Sequence, residues 1–151
     1  MLRPSKKLVL ALEAVADIAY HGGAEPVQSQ DIARRLVLPR RYLEQVMQQL
    51  VRAGILRGVR GPRGGYRLAR ERRRVSVGDV VRVVRGIEDL PPQEDLASSS
   101  KLGRRVIGPF WAATEQELMA RLDRITIDDL CRRAEEQGVA SESQRSVDYA
   151  L

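Results

Sequence analysis

The N-terminal half of the chain shows the hydrophobic spacing of three helices. Apolar residues recur every three or four positions from Ser5 to His21, and two glycines follow. A second helix is predicted from Ser29, a suitable N-cap, and a third from Pro39, because proline is tolerated at the first helical position. Gly54 is predicted to end the third helix. Only a short turn separates the second and third helices, so the pattern predicts a helix-turn-helix.

A β-hairpin is predicted directly after the third helix. Residues 57–70, RGVRGPRGGYRLAR, contain four glycines and one proline, with short apolar runs at 55–59 and 66–68. The same segment contains five arginines: Arg57, Arg60, Arg63, Arg67 and Arg70. A basic hairpin beside a helix-turn-helix suits a DNA-binding wing, because its guanidinium groups can contact phosphates or enter the minor groove.

The polar side of the third helix carries side chains that can contact base edges. Spacings of three and four residues place them on one face, opposite the apolar stripe: Arg41, Glu44, Gln45, Gln48 and Arg52. Arginine and glutamine can make bidentate contacts with guanine and adenine, and glutamate can accept from cytosine N4. Any amphipathic helix has a polar outer face, but the basic hairpin that follows favours a DNA-contacting function.

An arginine run and an irregular segment follow the hairpin. Arg70 and residues 72–74 precede a valine-rich helix that Ser76 is predicted to cap. The arginine run fits phosphate contact and simple solvation equally well. Residues 88–108 contain two adjacent prolines, three successive serines and little periodicity, which predicts a linker or loop.

The rest of the chain is predicted to be helical and then flexible. Residues 109–137 contain a longer amphipathic helix, with the chain's only Trp and Phe, and a short helix opened by a capping box of Thr126 and Asp129. Residues 138–151 are polar and predict a flexible tail. The predicted fold class is therefore mostly α with a small β-hairpin, in which residues 1–87 form a winged helix-turn-helix domain.

Charge is distributed unevenly between the two halves. Residues 1–86 hold 18 basic and 7 acidic side chains, a net charge of +11, and residues 87–151 hold 8 and 13, a net charge of −5. These values give the total of +6. The basic half is the part expected to contact a polyanion.

Composition excludes several classes of protein. No apolar run approaches the roughly 20 residues that cross a bilayer, and the N-terminus lacks the uninterrupted apolar region of a signal peptide. The single cysteine, Cys131, excludes an internal disulfide and suits a reducing cytosol. We therefore expect a cytoplasmic protein with no membrane partner.

No constellation of catalytic residues can be assembled from the sequence. The chain has one histidine and one cysteine, and its glycine-rich segment fits neither nucleotide-binding pattern. His21 is expected to interact with a helix C-terminus as a dipole partner, and Cys131 to be a small buried apolar residue. The sequence therefore predicts no enzyme, no metal site and no cofactor.

Three long segments carry a resemblance to a known family. RYLEQVMQQLVRAGIL at 41–56, VRGPRGGYRLAR at 59–70 with the following VSVGDVVRVVRG, and ITIDDL at 125–130 resemble the IscR/NsrR/CymR family of bacterial winged-helix transcription regulators. The resemblance implies a homodimer that binds an inverted-repeat operator on double-stranded DNA, most often as a repressor. It also implies that the long helix after the linker is the dimerisation helix.

The resemblance assigns site residues by position. Arg41, Glu44 and Gln45 match base-contacting positions of the recognition helix, Arg60 matches the wing arginine, and Arg63 stands where the family often has glycine. The predicted DNA-contacting set is Lys6, Ser29, Arg40, Arg41, Tyr42, Glu44, Gln45, Arg57, Arg60 and Arg63. The predicted dimerisation set is Phe110, Trp111, Leu118, Met119 and Leu122.

The chain departs from the cluster-binding members of this family. Those relatives carry three cysteines and a further ligand in the stretch corresponding to 88–108, where this chain has no cysteine, histidine or methionine. We therefore expect no iron–sulfur cluster bound in the family's manner.

The signal that regulates the protein is left open by the sequence. A CymR-like regulator would be controlled by a protein partner, an enzyme of cysteine metabolism. A small effector could instead bind between the linker and the long helix. In a different class of function, the basic face would belong to an interaction module that binds RNA or acidic proteins.

Overall fold

The computed structural model describes residues 3–87 and 100–143. Within these ranges the chain forms six α-helices and one antiparallel hairpin, which confirms the predicted fold class. The elements are α1 Lys6–His21, α2 Ser29–Leu36, α3 Arg40–Arg52, β1 Leu56–Val59, β2 Gly65–Leu68, a 3-10 turn Arg72–Arg74, α4 Val77–Ile87, a π-helical turn Gly103–Ile107, α5 Gly108–Arg124 and α6 Ile127–Glu136. The hairpin register pairs Leu56 with Leu68 and Val59 with Gly65.

Helix α1 is the centre of the core. It packs against α2, α3, α4, α6 and β2, and Ala11, Ala14 and Val15 are fully buried on it. The small alanine side chains allow neighbouring helices to approach closely, and apolar side chains from α3 and α4 fill the remaining space. The core therefore fixes α3 and the hairpin to one body.

Several helix boundaries follow the predicted capping residues. Thr126 and Asp129 form the predicted reciprocal capping box. Ser5, predicted as the first residue of the first helix, is instead its N-cap, and its hydroxyl accepts from the Leu8 N–H at 3.1 Å. Ser76 and Asp79 form a second capping box at α4, with both hydrogen bonds at 3.0 Å.

Gly54 closes α3 as predicted, and a Schellman motif explains why. Gly54 has a φ of +77°. Its N–H donates to the Val51 carbonyl and the Ile55 N–H donates to the Leu50 carbonyl, both at 3.0 Å. The glycine conformation lets the chain turn directly from α3 into the hairpin.

Two predicted helix starts are displaced by one residue. Gln28, not Ser29, is the N-cap of α2, and Ser29 is its first residue. The Ser29 hydroxyl instead donates to Glu44 of α3 at 3.4 Å. Pro39 is the N-cap of α3 rather than its first helical residue, and its carbonyl accepts from the Leu43 N–H.

The turn between α2 and α3 contains an unusual backbone conformation. Val37 has φ 54° and ψ 55°, in the left-handed region, and its side chain is 85% exposed. A β-branched residue adopts this conformation only with strain. The turn is held by the Leu38 N–H, which donates to the Ala33 carbonyl at 3.1 Å.

The prediction of a loop up to residue 108 is wrong for its last part. Residues 101–108 are helical, because the π-helical turn Gly103–Ile107 leads without a break into α5. Ser100 begins this stretch, and its hydroxyl accepts from the Gly103 N–H at 2.9 Å. Residues 88–99 of the predicted linker lie outside the described residues.

The prediction of a flexible tail from residue 138 is wrong as far as residue 143. Ser141 is buried, and its hydroxyl donates to the Tyr20 carbonyl at 2.8 Å. The Tyr20 hydroxyl donates to the Val139 carbonyl, and Glu142 forms an ion pair with Arg35 at 2.6 Å. Residues 139–143 are therefore attached to α1 and α2, and residues 144–151 lie outside the described residues.

His21 does not interact with the end of α1 as a cation. Its Nδ1 accepts the Glu142 N–H at 3.1 Å, which requires an unprotonated nitrogen. Burial lowers the pKa of His21; the nearby Asp17 carboxylate opposes this effect, and Arg35 adds to it. The expected dipole interaction is therefore replaced by a hydrogen bond from the C-terminal segment.

We predict that acidification destabilises the fold through His21. Because the pKa of His21 is lower in the folded state than its ordinary value of 6.5, the unfolded chain takes up the proton first. The free energy of unfolding should then fall as the pH drops from about 7.5 to about 5.5. Urea unfolding at both pH values measures this loss, and His21→Gln, which keeps an acceptor without titrating, should reduce it. An unchanged pH dependence in His21→Gln would assign the loss to other groups.

Candidate nucleic-acid interface

The hairpin is fixed to the loop that precedes α2. Val27 and Tyr66 form an antiparallel bridge in which each N–H donates to the other's carbonyl, at 2.9 and 2.8 Å. A Cβ atom on Gly65 would lie 2.3 Å from the Val27 carbonyl oxygen, so this close approach requires glycine. The Arg67 guanidinium also donates to the Ala24 carbonyl. These contacts fix the direction in which the hairpin projects.

Tyr66 lies at the base of the hairpin, close to α3. Its side chain is half-buried against the core to which α3 contributes Leu43 and Met47, and β1 of the same hairpin packs against α3. Burial, reinforced by the nearby Glu44 carboxylate, raises the pKa of Tyr66. The base of the hairpin therefore borders the α3 face that the sequence singles out.

Three of the predicted contact residues form one polar group at the start of α3. The Glu44 carboxylate accepts from Arg40 Nε at 3.1 Å and from the Ser29 hydroxyl at 3.4 Å. Arg41 and Gln45 are exposed beside this group, and their side chains form no hydrogen bond or ion pair with other residues that the structure describes. Two exposed polar side chains are thus available to a ligand, while Glu44 already has partners within the protein.

The hairpin presents its predicted arginines to solvent. Arg57, Arg60 and Arg63 are all exposed. Arg57 lies directly opposite Arg67 across the two strands, an arrangement that costs energy unless an anion or an acceptor is close. Arg63 Nη1 lies 3.4 Å from Glu25, and both side chains of this pair are largely exposed. Such an exposed ion pair contributes little to stability. Arg63 can therefore exchange Glu25 for another anion.

Lys6 and Tyr42 lie on a neighbouring part of the surface. Both line a groove of about 460 Å³ between the start of α1 and the start of α3, together with Val9 and Leu38. A smaller cavity of about 220 Å³ lies further along α1, between Tyr20 and Leu130. The structure therefore brings Lys6 beside Tyr42, whereas Arg40 and Glu44, each two residues from Tyr42 along α3, lie on another side of that helix.

The arginine run after the hairpin has a role that the sequence analysis missed. Arg72 Nε lies 2.7 Å from the Asp128 carboxylate, and Arg132 pairs with the same carboxylate at 2.7 Å. Asp128 is buried, and its pKa is lowered by Arg132 first and then by Arg72 and Arg73. Arg72 thus attaches the 3-10 turn to α6 and is neither simply solvated nor directed to a phosphate.

The five predicted dimerisation residues differ in their exposure. Phe110, Trp111 and Leu118 are 61%, 48% and 51% exposed, whereas Met119 and Leu122 are half-buried within the subunit. Three further exposed apolar side chains, which were not predicted from the sequence, lie immediately before α5: Leu102, Val106 and Ile107. None of the residues of α5 is fully buried in the single chain. An apolar surface therefore extends along residues 102–118.

Comparison with known proteins identifies the family. A family model described as Rrf2, iron-dependent transcriptional regulator, matches residues 4–133. The chain belongs to the Rrf2 family of transcriptional regulators. This confirms the resemblance found in the sequence, and Rrf2 proteins are DNA-binding regulators rather than enzymes.

Individual relatives agree with this assignment. The chain is 32% identical over 122 residues to the regulator IscR of Vibrio atlanticus, covering 81% of this chain and 70% of the relative. It is 31% identical over 119 residues to the protein rrf2 of Nitratidesulfovibrio vulgaris, covering 78% and 79%. Among solved structures, T. potens IscR matches with a TM-score of 0.74 and 36% identity over 93% of both chains. CymR, described as the global cysteine regulator of B. subtilis, matches with a TM-score of 0.71 and 28% identity over 88% and 98%.

The iron in the family description finds no matching set of ligands among the residues that the structure describes. The chain has one cysteine and one histidine. Cys131 is buried in the core, and burial raises the pKa of its thiol, which disfavours the thiolate that metals bind. Within residues 3–87 and 100–143, no group of three or more His, Cys, Asp or Glu could hold a metal ion. In the same ranges no helix combines the length and apolar character needed to cross a bilayer.

We predict that Gly65→Val detaches the Rrf2 wing from the body. The added side chain would meet the Val27 backbone, separate the bridge and remove two hydrogen bonds. Overpacking and the lost bonds should together cost about 2–4 kcal/mol of unfolding free energy. Thermal and urea unfolding measure this cost. Gly58→Ala is the matched control, because its Cβ would meet nothing within 4 Å, and equal losses in both variants would contradict the prediction.

Proposed function

We propose that this Rrf2 protein is a cytoplasmic repressor that binds an inverted-repeat operator as a homodimer. Each α3 enters a major groove, where Arg41 and Gln45 contact base edges, and each hairpin extends along the flanking backbone or minor groove. Arg40, Arg57, Arg60, Arg63 and Lys6 neutralise phosphates, with Ser29 and Tyr42 at the edge of the contact surface. Glu44 contributes by orienting Arg40, and it can also accept from a cytosine amino group.

One observation carries this proposal: the exposed side of α3 and the basic hairpin border the same surface. The Gly54 turn leads directly from α3 into β1, which packs against α3, and the Val27 bridge holds β2 in place. A duplex that contacts Gln45 in a groove therefore has the hairpin arginines beside its adjacent backbone. The basic N-terminal half, with its net charge of +11, supplies the long-range attraction.

Selection of binding sites from random double-stranded DNA, followed by titration at several salt concentrations, tests the proposal. We expect one inverted repeat, with half-sites separated by whole helical turns. Gln45→Ala should reduce the discrimination between bases at one position of the site by about 1–3 kcal/mol. The salt dependence of binding should be unchanged. Arg63→Gly should weaken binding to all sequences alike and reduce the salt slope by about one. Diffuse recovery of DNA, or preferential recovery of RNA, would contradict the proposal.

We propose that the protein senses its regulatory signal without an iron–sulfur cluster. The single thiol is buried, and its raised pKa makes it a poor redox sensor. The similarity to CymR, the global cysteine regulator of B. subtilis, supports a signal that is linked to cysteine. We propose that an enzyme of cysteine metabolism delivers it as a protein partner. Affinity capture on the purified regulator should recover such an enzyme specifically. Recovery of a bound small molecule instead would support the effector alternative.

A further inference from the structure

A joint between α4 and α5 attaches the helix-turn-helix to the helix along which the apolar surface of residues 102–118 extends. Two backbone hydrogen bonds pair the start of α4 with the turn that follows α5. The Val77 N–H donates to the Ile125 carbonyl at 2.8 Å. The Ile127 N–H donates to the Val75 carbonyl, also at 2.8 Å, and the side chains of Ile127 and Val75 are fully buried in the core. The C-terminal end of α5 is therefore attached to the core of the DNA-binding half.

Two capping boxes restrain the backbone of this joint from both sides. Ser76 and Thr126 face each other in an antiparallel bridge. Ser76 caps α4 with Asp79, and Thr126 caps α6 with Asp129, through hydrogen bonds of 2.9–3.0 Å. Each residue of the bridge is thus fixed to the helix that begins beside it.

Gly78 allows α5 to end directly against α4. A Cβ atom on Gly78 would overlap the Oδ1 atom of Asp123 and would lie 3.2 Å from the Asp123 backbone nitrogen. The Asp123 carboxylate is itself held in place, because Arg82 donates to both of its oxygens, at 2.8 and 2.7 Å. The glycine, the aspartate and the arginine therefore define one close approach of the two helices.

Most of the apolar surface lies away from the joint, toward the other end of α5. From Trp111 to Asp123 the helix rises by about 18 Å, given about 1.5 Å per residue. A rotation of about 10° at the joint would displace one end of this segment by about 3 Å, close to the roughly 3.4 Å between successive bases of one strand. In a dimer that pairs through this surface, the angle at the joint therefore sets the distance between the two α3 helices.

We propose that Gly78, Arg82 and Asp123 position the two recognition helices relative to each other and thereby select the spacing of the operator half-sites. The inference rests on the proposed function, because it assumes that two copies bind an inverted repeat through the apolar surface of α5. The three residues lie on α4 and α5, outside the surface that α3 and the hairpin form. They therefore act on the length of the spacer and not on the bases read in each half-site.

Titration on duplexes whose spacers differ by single base pairs tests the inference. We compare wild type with Gly78→Ala, in which the added methyl group displaces the Asp123 carboxylate and moves the end of α5. The preference for the wild-type spacer over spacers one base pair shorter or longer should fall by roughly 2- to 30-fold. Affinity for a single half-site should be unchanged, because α3 and the hairpin are untouched.

A double variant distinguishes the proposed positioning role from a general loss of stability. Asp123→Ala alone removes an exposed ion pair and should reduce the spacing preference less than Gly78→Ala. Combined with Gly78→Ala, it removes the atoms that the methyl group overlaps, and only the contact with the Asp123 nitrogen at 3.2 Å remains. The double variant should therefore return toward Asp123→Ala, whereas two independent losses would add.

Gly86→Ala is the matched control. It makes the same substitution in the same helix, where the added Cβ would meet nothing within 4 Å, and it should keep the wild-type spacing preference. Thermal unfolding and sedimentation establish that each variant is folded and dimeric. If Gly78→Ala does not fold, Arg82→Met and Asp123→Ala alter only an exposed pair and should still show the smaller reduction.

The possible failures are distinguishable. If wild type selects no inverted repeat, the proposed function is wrong. If wild type selects one and the folded, dimeric variants keep its spacing preference, the joint does not set the spacing and the inference is wrong. If the variants lose affinity for single half-sites and for all spacers by the same factor, these residues support the fold alone, and the inference is again wrong.

Discussion

Asp17→Ala should lower the free energy of unfolding by about 3 kcal/mol, because the buried Arg35 guanidinium loses the carboxylate that accepts two of its hydrogen bonds and keeps only Glu142 as a partner among the described residues. Arg35 donates two hydrogen bonds to Asp17, both at 2.8 Å, and the two side chains are only 12% and 5% exposed. Desolvation of such a pair is compensated only while both partners are present. Urea unfolding of the purified protein measures the loss.

Two comparison variants distinguish the stability cost of breaking this buried pair from the cost of removing an exposed charge. Asp31→Ala removes an exposed partner of Arg34 at 3.7 Å and should cost less than about 1 kcal/mol. In an Arg35→Met background, which has already lost the pair with Glu142, Asp17→Ala should cost much less than in the wild type. An equal cost in both backgrounds would show that the loss does not come from breaking the buried pair.

Local chemistry explains which parts of the fold the sequence predicts. Capping boxes and the Gly54 turn act within three or four residues, so Thr126, Asp129 and Gly54 identify helix ends without knowledge of the fold. Val37 shows the limit of this reasoning. A left-handed residue at a helix end is usually glycine, whereas here a valine takes that conformation in the short turn between α2 and α3.

Contacts between distant residues explain what the sequence analysis missed. Arg72 pairs with Asp128, and Glu142 pairs with Arg35, across separations that leave no local pattern. The polar segment at 139–143 therefore has the composition of a free tail although it is attached to α1. The helical stretch before α5 was missed because glycines and serines interrupt its apolar spacing, which becomes evident only on the continuous helix.

The same distinction between local patterns and distant contacts applies to the candidate site. The basic hairpin and the polar face of α3 are local patterns, and each is recognisable by itself in the sequence. Their relative position depends on Val27 and Tyr66, which are far apart in the chain, and on Gly65, which permits their approach. Ser29 and Glu44 were predicted as separate contacts, whereas the structure joins them with Arg40.

The apolar surface of residues 102–118 requires a cover in solution. Six large apolar side chains there are about half or more exposed, including Phe110, Trp111 and Leu118. Isolated exposed apolar residues are ordinary, but a contiguous set of this size marks an interface. A second copy of the chain is the occupant that the proposed inverted-repeat operator requires, because a two-fold axis presents the same surface from both subunits.

We therefore expect Phe110→Glu combined with Trp111→Glu to convert the protein into monomers and to weaken operator binding by about 10²–10⁴-fold. The two charges would be desolvated at the interface, and a monomer loses the high effective concentration of its second half-site. Sedimentation measures the mass, and titration on full and half operators measures the affinity. Val139→Glu makes the same change at a 51% exposed valine outside this surface and should remain dimeric. A monomeric wild type, or a charged variant that still discriminates full from half operators, would exclude this surface as the dimer interface.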